Sequence, residues 1–131
     1  MRIYLDNCCY NRPYDDQRQI RISLEAQAKI FIQKAVKFGK IELATSYILI
    51  YENNKNPFAD KRKTIGEFVE EFTSIFIDID RANEVISIAA EIMQSGIKEM
   101  DASHLACAVL SECDYFLTTD DKVLKIQERQ N

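Results

Sequence analysis

The chain has 131 residues, 47% of them apolar, with a formal net charge of −4, which suits one domain over residues 1–131 whose core needs no staple. The acidic balance argues against a protein that grips nucleic acid by bulk positive charge, because domains that do so run strongly basic. Cys8, Cys9, Cys107 and Cys113 form neither a C-x-x-C pair nor a zinc-type spacing, and no stretch approaches the ~20 apolar residues of a membrane span, so a soluble cytoplasmic protein is expected.

Ile3-Tyr4-Leu5 opens the chain as an unbroken apolar run halted by Asp6. Buried central strands of parallel sheets read this way, and open α/β sheets bind ligands at the carboxyl ends of their strands, where Asp6 would stand. Asn7 to Asp16 reads as a loop by its Asn, Asp and Pro content, with Asp15 or Asp16 capping the next helix. That helix carries Ile20, Leu24, Ala28, Phe31, Ala35 and Phe38 on one face, and Gly39 closes it. Ile41–Thr45 reads as a second strand, and Ser46 as the N-cap of a short helix holding Tyr47, Ile50, Tyr51 and Glu52.

Asp60 is the expected cap of a helix with Ile65, Phe68, Val69 and Phe72 inward. Ile75–Ile79 reads as a third strand, and Asp80 caps a helix with Ala82, Val85, Ile86, Ala89, Ile92 and Met93 on one side. A helix from about Asp101 to Cys113 turns Leu105, Ala106, Val109 and Leu110 inward. Tyr115–Thr118 reads as a fourth strand, followed by Asp120, Asp121 and a short helix from Lys122. Strands alternating with helices indicate a parallel α/β sheet.

Every strand of a parallel sheet ends at one rim. Asp6 and Asp120 would share it, Glu52 lies about one and a half turns beyond Ser46, and the helix feeding strand four starts there with Asp101. Carboxylates packed together repel unless a cation balances them, and an all-oxygen set suits Mg²⁺ or Mn²⁺ and metal-assisted phosphodiester hydrolysis. Thr118 places Asp120 ahead of Asp121 as the fourth acid. His104, three residues after Asp101, reads as a hydrogen-bonded packing residue outside the site.

Four segments then stand out together: Ile3-Tyr4-Leu5-Asp6, Thr45-Ser46 with Glu52, Met100-Asp101-Ala102-Ser103-His104-Leu105-Ala106-Cys107-Ala108, and Phe116-Leu117-Thr118-Thr119-Asp120. In order and approximate spacing they resemble the signature segments of PIN-domain ribonucleases, many of them VapC-like toxins of toxin-antitoxin pairs. The resemblance spans nearly the whole chain. It implies a PIN-like three-layer α/β/α fold with a parallel sheet ordered 3-2-1-4, or 3-2-1-4-5 with a fifth strand, and Mg²⁺- or Mn²⁺-dependent cleavage of RNA. It further implies Asp6, Glu52, Asp101 and Asp120 as catalytic metal ligands, Thr118 as a supporting hydroxyl, a homodimer and an antitoxin protein as partner. The chain departs from the pattern at Asn7 and Cys8, where many members have Thr or Ser and then Asn, and in its Asn11–Asp16 loop.

Arg12, Lys55, Lys61, Arg62 and Lys63, with Arg18 and Arg21, are the candidate RNA contacts. Tyr10, Tyr14 and Tyr51 are either base-stacking platforms or core. Two other classes compete. A receiver-type phospho-acceptor domain would need its Asp after strand three, where Asp78 and Asp80 read as structural. A non-catalytic PIN-fold module would bind RNA or protein without cutting.

Overall fold

The computed structural model describes residues 1–11 and 20–118, without the side chains of Arg21 and Ile22. Four strands, β1 (Arg2–Leu5), β2 (Glu42–Ser46), β3 (Ile75–Ile77) and β4 (Tyr115–Leu117), form an all-parallel sheet in the expected order, β3-β2-β1-β4. Six helices accompany them: α1 (Asn7–Asn11), α2 (Ile20–Lys37), α3 (Tyr47–Asn54), α4 (Ala59–Phe72), α5 (Ala82–Met93) and α6 (Glu99–Leu110). A fifth strand, the helix from Lys122, and Asp120 and Asp121 would fall in residues 119–131, outside the described residues. Among the described residues no helix is long and apolar enough to cross a membrane, and all four cysteines are free thiols.

β1 is apolar without alternation because both its faces are covered. Ile3 and Leu5 pack with Leu43, Leu49, Val36, Ile65 and Val69, drawing α2, α3 and α4 onto one face. Tyr4 points the other way, into Ala44, Ile77, Val85 and Ala89 and the alanines of α6. Ala102 and Ala106 are fully buried, and such small side chains let the α6 backbone lie close to the sheet.

Several expectations are corrected. Asn7–Asn11 is a short helix rather than loop, started where the Asp6 carbonyl accepts the Cys9 N–H and the Asp6 carboxylate accepts the Asn7 N–H. β3 ends at Ile77, and Asp78 rather than Asp80 caps the 3₁₀ turn Ile79–Arg81 by accepting the Ile79 N–H. α4 starts at Ala59, leaving Asp60 inside its first turn; α6 starts at Glu99, and its Val109 faces solvent, as does Ile86 of α5. Ser46 and Gly39 act as expected: the Ser46 hydroxyl caps α3, and Gly39 closes α2 in the left-handed region with φ +73°.

α2 packs inward on a side other than its longest apolar stripe. Ile20, Leu24, Phe31 and Phe38 point to solvent, while Ala26, Lys29 and Val36 are buried. The helix has apolar residues on two sides, and the side holding a lysine is the one that packs inward. Lys29 is 3% exposed, its Nζ has no hydrogen-bond partner among the described residues, and it lies 4.1 Å from the centroid of the Tyr10 ring. Burial holds its pKa down at about 8, with the Cys9 and Cys8 thiols opposing.

The stability consequence has a definite sign. Between about pH 8 and 10.5 the unfolded state binds more protons than the folded one, so the Lys29 contribution to stability rises through that window and is lost as pH falls to 8. Lys29→Met keeps the stem without the charge. It is expected to exceed wild type in stability by about 1–3 kcal/mol at pH 7, with the gap closing toward pH 10.5. Urea unfolding at several pH values measures both; a variant weaker than wild type at pH 7 would mean that the ammonium–Tyr10 contact outweighs desolvation.

Candidate functional site

Asp6 follows β1 directly and is 5% exposed. Its carboxylate is fixed from three directions: the Asn7 N–H donates to Oδ1 at 2.8 Å, the Thr118 hydroxyl donates to Oδ2 at 2.9 Å, and the Cys8 thiol stands 3.6 Å from Oδ2. The Asp6 N–H donates to the Leu117 carbonyl at 2.9 Å, tying the ends of β1 and β4 together. Glu52 arrives from α3, which Ser46 at the end of β2 anchors through its side-chain bond to the Leu49 N–H.

His104 of α6 is fully buried and lies between these acids. Its Nε2 meets Glu52 Oε1 directly and is 3.9 Å from Asp6 Oδ1. Its Nδ1 is 2.6 Å from the Tyr4 hydroxyl, which is 2.7 Å from Ser46 Oγ. Burial, above all, pushes the Tyr4 pKa far up, so the phenol stays neutral and can both donate and accept. Burial pushes the nearby Cys107 thiol up to about 11.

One ligand atom each from Asp6, Glu52 and His104 lies within 4.8 Å of the others. Two carboxylates and one imidazole at that spacing could hold a metal ion. Even a protonated His104 would offset only one of the two negative charges, so the group as it stands suits a cation.

The acids expected at the rim are placed as follows. Asp6 and Glu52 come together. Asp101 lies in the first turn of α6, one turn before His104, and its carboxylate is not part of the 4.8 Å group. Asp120 lies outside the described residues, and Thr118 is the donor to Asp6 Oδ2.

The basic candidates divide. Lys55 and Lys61 line a depression of about 340 Å³ together with Glu52, Asn7, Asn11 and Asn56, which brings them near Glu52. Arg62 and Lys63 instead line a larger groove of about 880 Å³ between α3 and α4 that contains none of Asp6, Glu52 and His104. Arg12, Arg18 and Tyr14 lie outside the described residues. Tyr10 is buried and cannot stack on a base, whereas Tyr51 is half exposed with the Lys55 ammonium 4.3 Å from its ring centroid.

Sequence reasoning left out His104 and gave Tyr4 no role beyond the strand. The signal that pointed to both was Tyr4 itself: a hydroxyl in the middle of a central strand must find a buried partner, and the chain has one histidine. Tyr4→Phe removes that hydroxyl and leaves His104 Nδ1 and Ser46 facing a ring edge. A loss of about 1–3 kcal/mol in urea unfolding is expected; a loss below ~0.5 kcal/mol would show that water replaces the phenol without penalty.

No protein-family model matches the chain, and no curated protein matches it.

Proposed function

We propose that the protein is a metal-dependent endoribonuclease of the PIN type, which hydrolyses RNA phosphodiester bonds with Mg²⁺ or Mn²⁺ held at Asp6 and Glu52. The observation that carries this reading is the convergence of a strand-end aspartate and a helix glutamate, from segments 46 residues apart in the chain, onto one imidazole. The parallel sheet ordered 3-2-1-4 supports it, because that order sets β1 between β2 and β4 with Asp6 at its carboxyl end. Asp101 and Asp120 complete the acid set in this reading, and Thr118 holds Asp6 in place.

The chemistry a divalent cation supplies there is positive charge against a phosphodiester oxygen and a lowered pKa for the attacking water. The protein's own groups do the rest. Asn7 N–H and Thr118 Oγ hold the Asp6 carboxylate in one orientation. Lys55 and Lys61, in the depression that Glu52 shares, attract the RNA backbone without making the whole protein basic. Tyr51 presents a half-exposed ring to an unpaired base.

A homodimer and an antitoxin belong to the same proposal, and the α2 stripe supports the dimer. Leu24, Ala28, Phe31, Ala35 and Phe38 follow at steps of four, three, four and three, the spacing with which two copies of one helix interlock. Phe31 is 73% exposed and Phe38 77%. Sedimentation is expected to give a dimer for wild type and a monomer for Phe31→Glu; wild type sedimenting as a monomer at ~100 µM would remove the dimer from the proposal.

The catalytic reading is tested by incubating purified protein with a mixed set of labelled RNAs in Mn²⁺, Mg²⁺ or EDTA, beside Asp6→Asn and Glu52→Gln. Cleavage that needs the cation and falls at least ~100-fold in both variants is expected. RNA bound at full occupancy and left intact with every cation would favour the non-catalytic RNA-binding module instead.

A further inference from the structure

We propose that His104 Nε2 is itself a metal ligand, making the centre a two-carboxylate, one-imidazole site that takes a first-row transition-metal dication, Zn²⁺ or Mn²⁺, in preference to Mg²⁺. The inference rests on the cation-centred reading above and specifies which cation. The ring can offer only one nitrogen to the acids. Nδ1 is engaged by the Tyr4 hydroxyl at 2.6 Å, while Nε2 faces both Glu52 and Asp6. A metal-ligating histidine is commonly built this way, with its second ring nitrogen held by a hydrogen-bond acceptor that fixes both the ring and its tautomer.

The buried network accommodates that tautomer. His104 Nδ1–H donates to Tyr4 Oη and Tyr4 O–H donates to Ser46 Oγ at 2.7 Å, so the Nε2 lone pair faces the acids. The same atoms accommodate the reverse arrangement, in which Tyr4 donates to Nδ1 and Nε2–H donates to Glu52. The first suits the centre with a cation, the second without one. Nitrogen donors favour transition metals, whereas Mg²⁺ prefers oxygen and keeps its waters. An imidazole pressed against two carboxylates therefore discriminates among cations that the acids alone would accept.

The chain contains a single histidine, which gives a direct readout. Full-length protein with ¹⁵N-labelled histidine is titrated with Zn²⁺ and, separately, Mg²⁺, and the one imidazole is followed by long-range ¹H–¹⁵N NMR, with calorimetry on wild type, His104→Gln and Asp6→Asn. The expected result is that Zn²⁺ moves Nε2 to the metal-bound range while Nδ1 stays protonated, that Mg²⁺ does not move it, and that Asp6→Asn abolishes the Zn²⁺ shift. His104→Gln is expected to bind Zn²⁺ at least ~10-fold more weakly with Mg²⁺ affinity held within ~2-fold, which also reports that the variant is folded. Zn²⁺ binding that needs Asp6 but leaves the imidazole signal in place would overturn the inference while sparing the carboxylate centre. Neither cation binding in a manner that needs Asp6 would overturn both.

Discussion

The Tyr4 hydroxyl is the group on which the arrangement depends. It sits in the middle of the central strand, where no water can reach it, and it must be satisfied by protein. Its two partners are the serine at the end of β2 and the histidine of α6. Ser46 caps α3, the helix that carries Glu52, and His104 touches Glu52 in turn. One phenol thus fixes β1, β2, α3 and α6 relative to one another. A single bond of this kind adds only about 1 kcal/mol net, but an unpaired hydroxyl there would cost more than it gains. The network therefore specifies position more than it adds stability.

The site's chemistry follows from that positioning. Asp6 leaves the sheet at the next residue but one, on the rim where β1 ends, and its carboxylate is turned by Asn7 and Thr118 toward the same imidazole. The alanines of α6 make this possible, since a bulkier side chain at Ala102 or Ala106 would push His104 away from the strand. On the opposite face the larger residues Leu43, Leu49, Ile65 and Val69 pack together against β1. One face of the sheet is built for mass and the other for close approach.

Much of this was legible in the residues. Ile3-Tyr4-Leu5 was unambiguous because a strand covered on both faces has no polar alternation to blur it, and Asp6 and Ser46 were legible because strand ends and helix caps select those side chains. The strand order came from the resemblance, not from any local pattern. The inward face of α2 was not legible, because Leu24, Phe31 and Phe38 are larger and more apolar than Ala26, Lys29 and Val36; the choice between two apolar faces is decided by tertiary packing, and a lysine on the inner one disguises it. His104 was passed over for a similar reason. A histidine within an apolar helix reads as packing until the hydroxyl and the carboxylate that meet it are known, and those lie 100 and 52 residues away in the chain.

In the proposed centre Asp6, Glu52 and His104 together hold a divalent cation. Anomalous diffraction from crystals grown with Mn²⁺ tests it most directly, since the scattering identifies the ion and places it without reference to activity. One strong peak is expected, bounded by an Asp6 oxygen, a Glu52 oxygen and His104 Nε2, with distances near ~2.2 Å. A map with Mn²⁺ peaks elsewhere and His104 still bonded to Glu52 would contradict it.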